Sequence, residues 1–186
     1  SGMAINPDTG VIEWTPTTEQ AFATYDVTIG VTDSENAFDL QSFSIFVEDP
    51  TPPAITIISA PSEFINTDGI IVFEIFELHD NNPIVNTAPD TTLVRTDFAN
   101  NKGTYAATYT DEGFYRVTIM ATDQSDNTNP QTLESFTIDK TAPITTDDIN
   151  TMVWHTEDVT INLAANDPVL GGVSSGVHET YYTIYQ

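Results

Sequence analysis

Thr110-Asp111-Glu112-Gly113-Phe114-Tyr115-Arg116-Val117-Thr118-Ile119-Met120-Ala121-Thr122-Asp123 reads as a tight turn feeding a strand. Tyr115, Val117, Ile119 and Ala121 alternate with Phe114, Arg116, Thr118 and Met120, the period-two pattern of a strand with one face on a core. The least this stretch specifies is a β-hairpin with a Gly turn. Similar alternation runs through Gly69 to Glu77. The central core is therefore expected to include Phe73, Ile75, Tyr115, Val117, Ile119 and Ala121.

Outward from that strand, the pattern repeats in short apolar runs separated by turn residues, with no convincing 3.6-residue periodicity. Between Pro50 and Asp139, strands are expected at Ala54 to Ser59, Gly69 to Glu77, two within Pro83 to Phe98, Thr104 to Thr110, Phe114 to Thr122 and Thr132 to Ile138. Upstream, Asn6-Pro7-Asp8-Thr9-Gly10 is a turn between short apolar segments. Tyr25, Val27, Ile29 and Val31 mark a half-buried strand, and Phe43, Ile45 and Val47 another. Asp49-Pro50-Thr51-Pro52-Pro53 is a stiff linker, because its prolines fix φ and favour extended backbone. Downstream, Val159, Ile161, Leu163 and Ala165 have strand spacing, followed by a Gly/Ser loop from Gly171 to Gly176 and a further strand-like run, Thr180 to Ile184. The expected division is residues 1–49, 50–139 and 140–186, all of them β.

Composition limits what such a chain does. Its 186 residues carry 28 acidic side chains against four basic ones, Arg95, Lys102, Arg116 and Lys140, for a net charge of −24. A surface of that sign repels nucleic acid phosphates and anionic headgroups, which argues against both as direct partners. Repulsion among the carboxylates is relieved by salt or by bound cations. The absence of cysteine excludes disulfides, thiol nucleophiles and thiolate metal sites. No apolar run approaches the roughly 20 residues of a membrane helix, so direct membrane insertion is not expected.

Three groups of residues carry a resemblance to known families. Asp111, Gly113 and Tyr115 have the Asp-x-Gly-x-Tyr spacing of the tyrosine corner in immunoglobulin-like sandwiches, although Val117 stands where an antibody domain has its second cysteine. Residues 2–49 run Gly-Met, an Ile-x-Pro-x-Thr-Gly turn, Trp-Thr-Pro and a Tyr-x-Val strand. This is similar to the second half of the immunoglobulin-like repeats of bacterial and archaeal surface proteins, themselves akin to cadherin repeats. Asp139-Lys140-Thr141-Ala142-Pro143 resembles the linker between consecutive repeats of this kind. The resemblance implies an all-β fold of tandem immunoglobulin-like sandwiches arranged as a rod. Residues 1–49 would be the last strands of one unit, 50–139 a complete sandwich, and 140–186 the opening strands of a further unit. It also implies an extracellular or cell-surface setting.

Cadherin-like repeats bind calcium between units, and calcium takes six to eight oxygen ligands. In a seven-strand sandwich, alternate loops gather at the entering and departing linkers. A calcium site at the first junction is therefore expected from Glu48, Asp49, Asp80, Asn81, Asp123 and Asp126. A second is expected from Asp111, Asp139 and Asp167. Against this stands the tendency of Asp and Asn to occupy turns for local reasons. Catalysis is not expected. Asp147 and Asp148 are the nearest thing to a glycosidase pair, yet they sit beside a linker, and His79, His155 and His178 have no ligand spacing. Trp14 and Trp154 are expected in cores rather than as sugar platforms. Two functions remain: a structural spacer of a sheath, surface layer, filament or adhesin stalk, whose partners are neighbouring units of the same kind; and a carbohydrate- or protein-binding module of an adhesin or secreted hydrolase.

Overall fold

The computed structural model describes residues 2–130, 132–149, 154 and 156–184, with side chains for all of these except 97, 132 and 133. The chain is all-β, with one 3-10 turn among the described residues. In the first segment, β1 (Ala4–Ile5) pairs with β2 (Ile12–Glu13), and after the 3-10 turn Thr18–Gln20 the long strands β3 (Ala23–Thr32) and β4 (Phe38–Val47) form a separate antiparallel ladder. Tyr25, Val27 and Ile29 on β3 and Ile45 and Val47 on β4 are half-buried on the shared face. Tyr25 Oη donates to Gln20 O at 3.0 Å and its ring meets Trp14 edge-on, so a tyrosine corner stands here as well.

The central segment holds β5 (Ala54–Ser59), β6 (Phe64–Ile65), β7 (Gly69–Phe76), β8 (Ile84–Ala88), β9 (Leu93–Ala99), β10 (Lys102–Tyr109), β11 (Gly113–Thr122) and β12 (Thr132–Ile138). These form two four-stranded sheets, ordered β5-β7-β10-β9 and β6-β12-β11-β8. Every pairing is antiparallel except β6 with β12. The arrangement is that of an immunoglobulin-like sandwich. Inward-facing residues of alternating strands make the core: Ile71, Phe73 and Ile75 from one sheet meet Val117, Ile119, Ala121, Phe136 and Ile138 from the other, with Tyr105, Ala107 and Tyr109 closing the cluster. Tyr115 is half-buried against this cluster, stacked on Phe136 at 5.2 Å and tilted against Tyr109 at 5.0 Å. Its hydroxyl donates to Asp111 O at 2.8 Å, while Arg116 and Phe114 face outward. The strand phase read from the alternation holds along β7 and β11, whereas Val31 on β3, expected on a half-buried face, is exposed.

Four readings of the sequence need correction. The central segment has an additional strand, β6, between the first two expected ones, too short to show a periodicity. In the last segment the ladder is β13 (Ile144–Asp147) with β14 (Leu163–Asn166), so the strand begins at Leu163 rather than Val159. Thr180 to Ile184 forms no strand, and Tyr181, Tyr182 and Ile184 are exposed. Alternation specifies a strand only where another strand accepts its hydrogen bonds and covers its apolar face. Trp154, expected in a core, is 96% exposed; Trp14 is half-buried beside Tyr25.

Candidate functional site

The side chains of chemical interest gather where the two linkers meet the central sandwich. At the first junction Asp49, two residues beyond β4, is only 4% exposed. Its Oδ1 accepts from Thr51 N at 3.0 Å, a local turn that starts the proline segment. Its Oδ2 accepts from His79 Nδ1 at 2.9 Å, which fixes the imidazole tautomer with the proton on Nδ1. Its main-chain oxygen accepts from Asn127 Nδ2 at 2.6 Å, and Pro53 O accepts from Asn129 Nδ2 at 2.6 Å. The linker is thus gripped by the β7–β8 loop and the β11–β12 loop together. Gln124 Nε2 links these loops by donating to His79 O at 2.6 Å.

Two further carboxylates are buried here, Glu77 at 3% exposure and Asp123 at 4%. Asp123 is fully occupied by its own loop: Oδ1 accepts from Ser125 N and Asn127 N, and Oδ2 from Asn127 Nδ2. Glu77 accepts from His79 N at 3.0 Å. Burial, partly opposed by that N–H and reinforced by the charges of Asp49 and Asp123, pushes its carboxyl above the ordinary glutamate range. Among the described residues, Asp49, Glu77 and His79 are the one set of three such side chains whose donor atoms all lie within 4.8 Å of one another. Glu19, on the 3-10 turn of the first segment, is held low chiefly by hydrogen bonds to its own N–H and to Thr17, with a smaller pull from His79.

Of the six residues expected to hold calcium here, the fold buries Asp49 and Asp123. Asp80 instead caps Asn82 N at 2.7 Å, and Glu48, Asn81 and Asp126 are exposed. Glu77 and His79, absent from that expectation, supply the cluster.

The second junction repeats the plan. Asp139, directly after β12 and 6% exposed, accepts from Thr141 N at 3.2 Å with Oδ1, as Asp49 does from Thr51. Its Oδ2 reaches the loop after β14, where Ser175 N donates at 2.5 Å. These Ser175 hydrogen bonds hold its carboxyl below the usual aspartate range. Asp167 directly follows β14 as Glu77 directly follows β7. Its Oδ2 accepts from Ser174 Oγ at 2.9 Å and Gly176 N at 2.7 Å, while Oδ1 is buried with no hydrogen-bond partner among the described residues. Glu112, not Asp111, turns toward this junction: Oε1 accepts from Lys140 N at 2.7 Å and Thr141 Oγ1 at 2.8 Å, and Oε2 is buried without a partner among the described residues. Asp111 itself is exposed and contributes its main-chain oxygen to Tyr115. Gly171 sits so close over Glu112 O that an added Cβ would lie 2.3 Å from it, at a φ of +59°. Lys140 Nζ pairs with Asp68 Oδ1 at 2.6 Å and donates to Thr110 O.

Elsewhere, Asp148 is engaged by Asn162 through N at 2.8 Å and Nδ2 at 2.6 Å, which lower its pKa and give it a structural partner. His178 is exposed, and His155 lies outside the described residues. No described helix is long and apolar enough to cross a membrane.

The family described as "Putative Ig domain" matches residues 1–48. No curated protein and no solved structure matches the chain. An immunoglobulin-like assignment thus comes independently from the first segment's sequence and from the central segment's topology.

Proposed function

We propose that the chain is a non-catalytic spacer of a cell-surface or extracellular protein, of the kind that builds a sheath, surface layer, filament or adhesin stalk, with residues 1–49, 50–139 and 140–186 belonging to successive immunoglobulin-like units along a rod. The observation that carries this reading is the matched treatment of the two linkers. Each presents an aspartate, Asp49 or Asp139, that turns onto its own Thr two residues on and gives its other oxygen to a loop of the following segment. Linkers between independently moving domains lie in solvent with few contacts crossing them. Here Asp49, Pro53 and Asp139 are buried and both linkers are hydrogen-bonded on several sides, as a device that sets orientation requires.

Calcium belongs to this reading at the second junction, where every candidate donor is an oxygen and two, Glu112 Oε2 and Asp167 Oδ1, are buried without partners among the described residues. Such orphaned oxygens suit a hard cation. The Ser174–Gly176 turn would have to yield for them to converge with Asp139.

The test is small-angle scattering and inter-segment residual dipolar couplings on the chain and on Asp49→Ala and Asp139→Ala variants, with calcium and with chelator. Fixed segment orientations that loosen in the variants support the spacer reading. Segments that tumble independently in the unaltered chain under both conditions refute it.

A further inference from the structure

We propose that Asp49, Glu77 and His79 form a binding site for a divalent transition-metal ion of the zinc class, which ties the first linker to the β7–β8 loop. The donor set selects the metal. Calcium is bound by shells of six to eight oxygens, whereas zinc combines imidazole nitrogen with carboxylate oxygen in four-coordinate sites. Here one imidazole nitrogen and two carboxylate oxygens already lie within 4.8 Å of one another, leaving a fourth position for water. Closing to bonds of roughly 2.0 to 2.2 Å asks only for side-chain adjustment.

A second observation points to a cation independently of that spacing. Asp49 and Glu77 are each more than nine-tenths buried, side by side. Buried carboxylates need a compensating charge. Lysine and arginine do not provide it: Lys102 pairs with Glu74, Lys140 pairs with Asp68, Arg95 donates to Asn82, and Arg116 is exposed.

The surroundings are built as metal sites are built, with outer hydrogen bonds orienting each ligand. Asn127 holds the Asp49 main chain, Gln124 holds the His79 carbonyl, and the His79 N–H steadies Glu77. The 2.9 Å hydrogen bond from Nδ1 to Asp49 is the metal-free arrangement. Metal entry at Nδ1 moves the ring's single proton to Nε2, and protons compete with the metal for these ligands, so binding strengthens as pH rises from acid. The site does not depend on the spacer reading, since it requires only that the linker pack as observed.

The experiment is a calorimetric titration of the metal-stripped 186-residue chain with ZnCl2 and, separately, CaCl2, with CoCl2 as an optical probe and 15N NMR of the histidine rings. The expected result is one zinc bound per chain, affinity rising with pH from acid, ligand-field bands with Co2+, and a zinc-dependent shift of His79 Nδ1. In His79→Gln the binding is lost, while His178→Gln binds as the unaltered chain does. Should His79→Gln fail to fold, the NMR shift in the unaltered chain decides the matter alone. Absence of zinc binding, an unmoved His79 Nδ1, zinc bound equally by His79→Gln, or calcium taken up in place of zinc would each overturn the proposal.

Discussion

Replacing Tyr115 by Phe removes the hydroxyl that donates to Asp111 O but leaves the ring stacked on Phe136. The expected loss is about 0.5 to 1.5 kcal/mol, the net worth of one hydrogen bond, read as a shift of the urea midpoint with unchanged slope. Gly69→Ala acts through packing instead. A Cβ there would lie 2.2 Å from Phe136 Cε2, inside the aromatic cluster that backs the corner. The ring has to move or the strand has to shift, and overpacking of this kind costs about 1 to 3 kcal/mol. Equal midpoints for Gly69→Ala and the unaltered chain would show that Phe136 has room to turn aside. At this scale the sequence was most legible where the signal is local. Asp111, Gly113 and Tyr115 announce their corner by spacing, whereas Tyr25 reaches Gln20 without a glycine between and gives no such notice. In the sequence Glu77 looks like the end of a strand and His79 like an ordinary loop residue, because what makes them a cluster is Asp49, some thirty positions earlier. The one available hint was the acid immediately beyond a strand, present at both Glu77 and Asp167.

The elements were readable in proportion to their length and pairing. β3, β4, β7, β10 and β11 carry enough residues to display alternation, whereas β6 has two, and its existence is decided by the edge of β12. Thr180 to Ile184 is the converse: its pattern suits a strand, and no described strand pairs with it. The two acids that follow the linkers' plan also titrate in opposite senses. Asp139 has a lowered pKa, so the stability it contributes is present above the ordinary aspartate value of 3.8 and is lost as pH falls through its depressed folded value. Glu77 has a raised pKa, so its contribution is full below the ordinary glutamate value of 4.5 and is lost as pH rises through its elevated folded value. Melting temperature measured from acid to neutral pH should therefore show a flatter acid limb in Asp139→Asn and a smaller decline on the higher-pH side in Glu77→Gln. Profiles parallel to that of the unaltered chain in both variants would mean that neither shift is coupled to folding.

For the whole molecule, a net charge of −24 on 186 residues sets the response to salt. Screening length falls from about 8 Å at physiological ionic strength to about 3 Å at 1 M, so repulsion between separate carboxylates is largely removed while the few ion pairs are weakened little in total. The melting temperature should rise with NaCl over this range, and a flat or falling curve would show that the acidic surface carries no net strain. A different consequence follows from the parallel pairing of β6 with β12. Thr137 N donates to Glu63 O and Asp139 N to Ile65 O, so the start of the central sandwich is laced to its last strand just before the second linker departs. The first linker enters among the loops at the other end, beside Glu77 and Asn127. Tension applied between the linkers runs along these strands, across the hydrogen bonds that join them. Bonds loaded in that direction slide together and resist as a group, where bonds peeled from one end give way in turn. The sandwich is thereby arranged to bear a pull along its length.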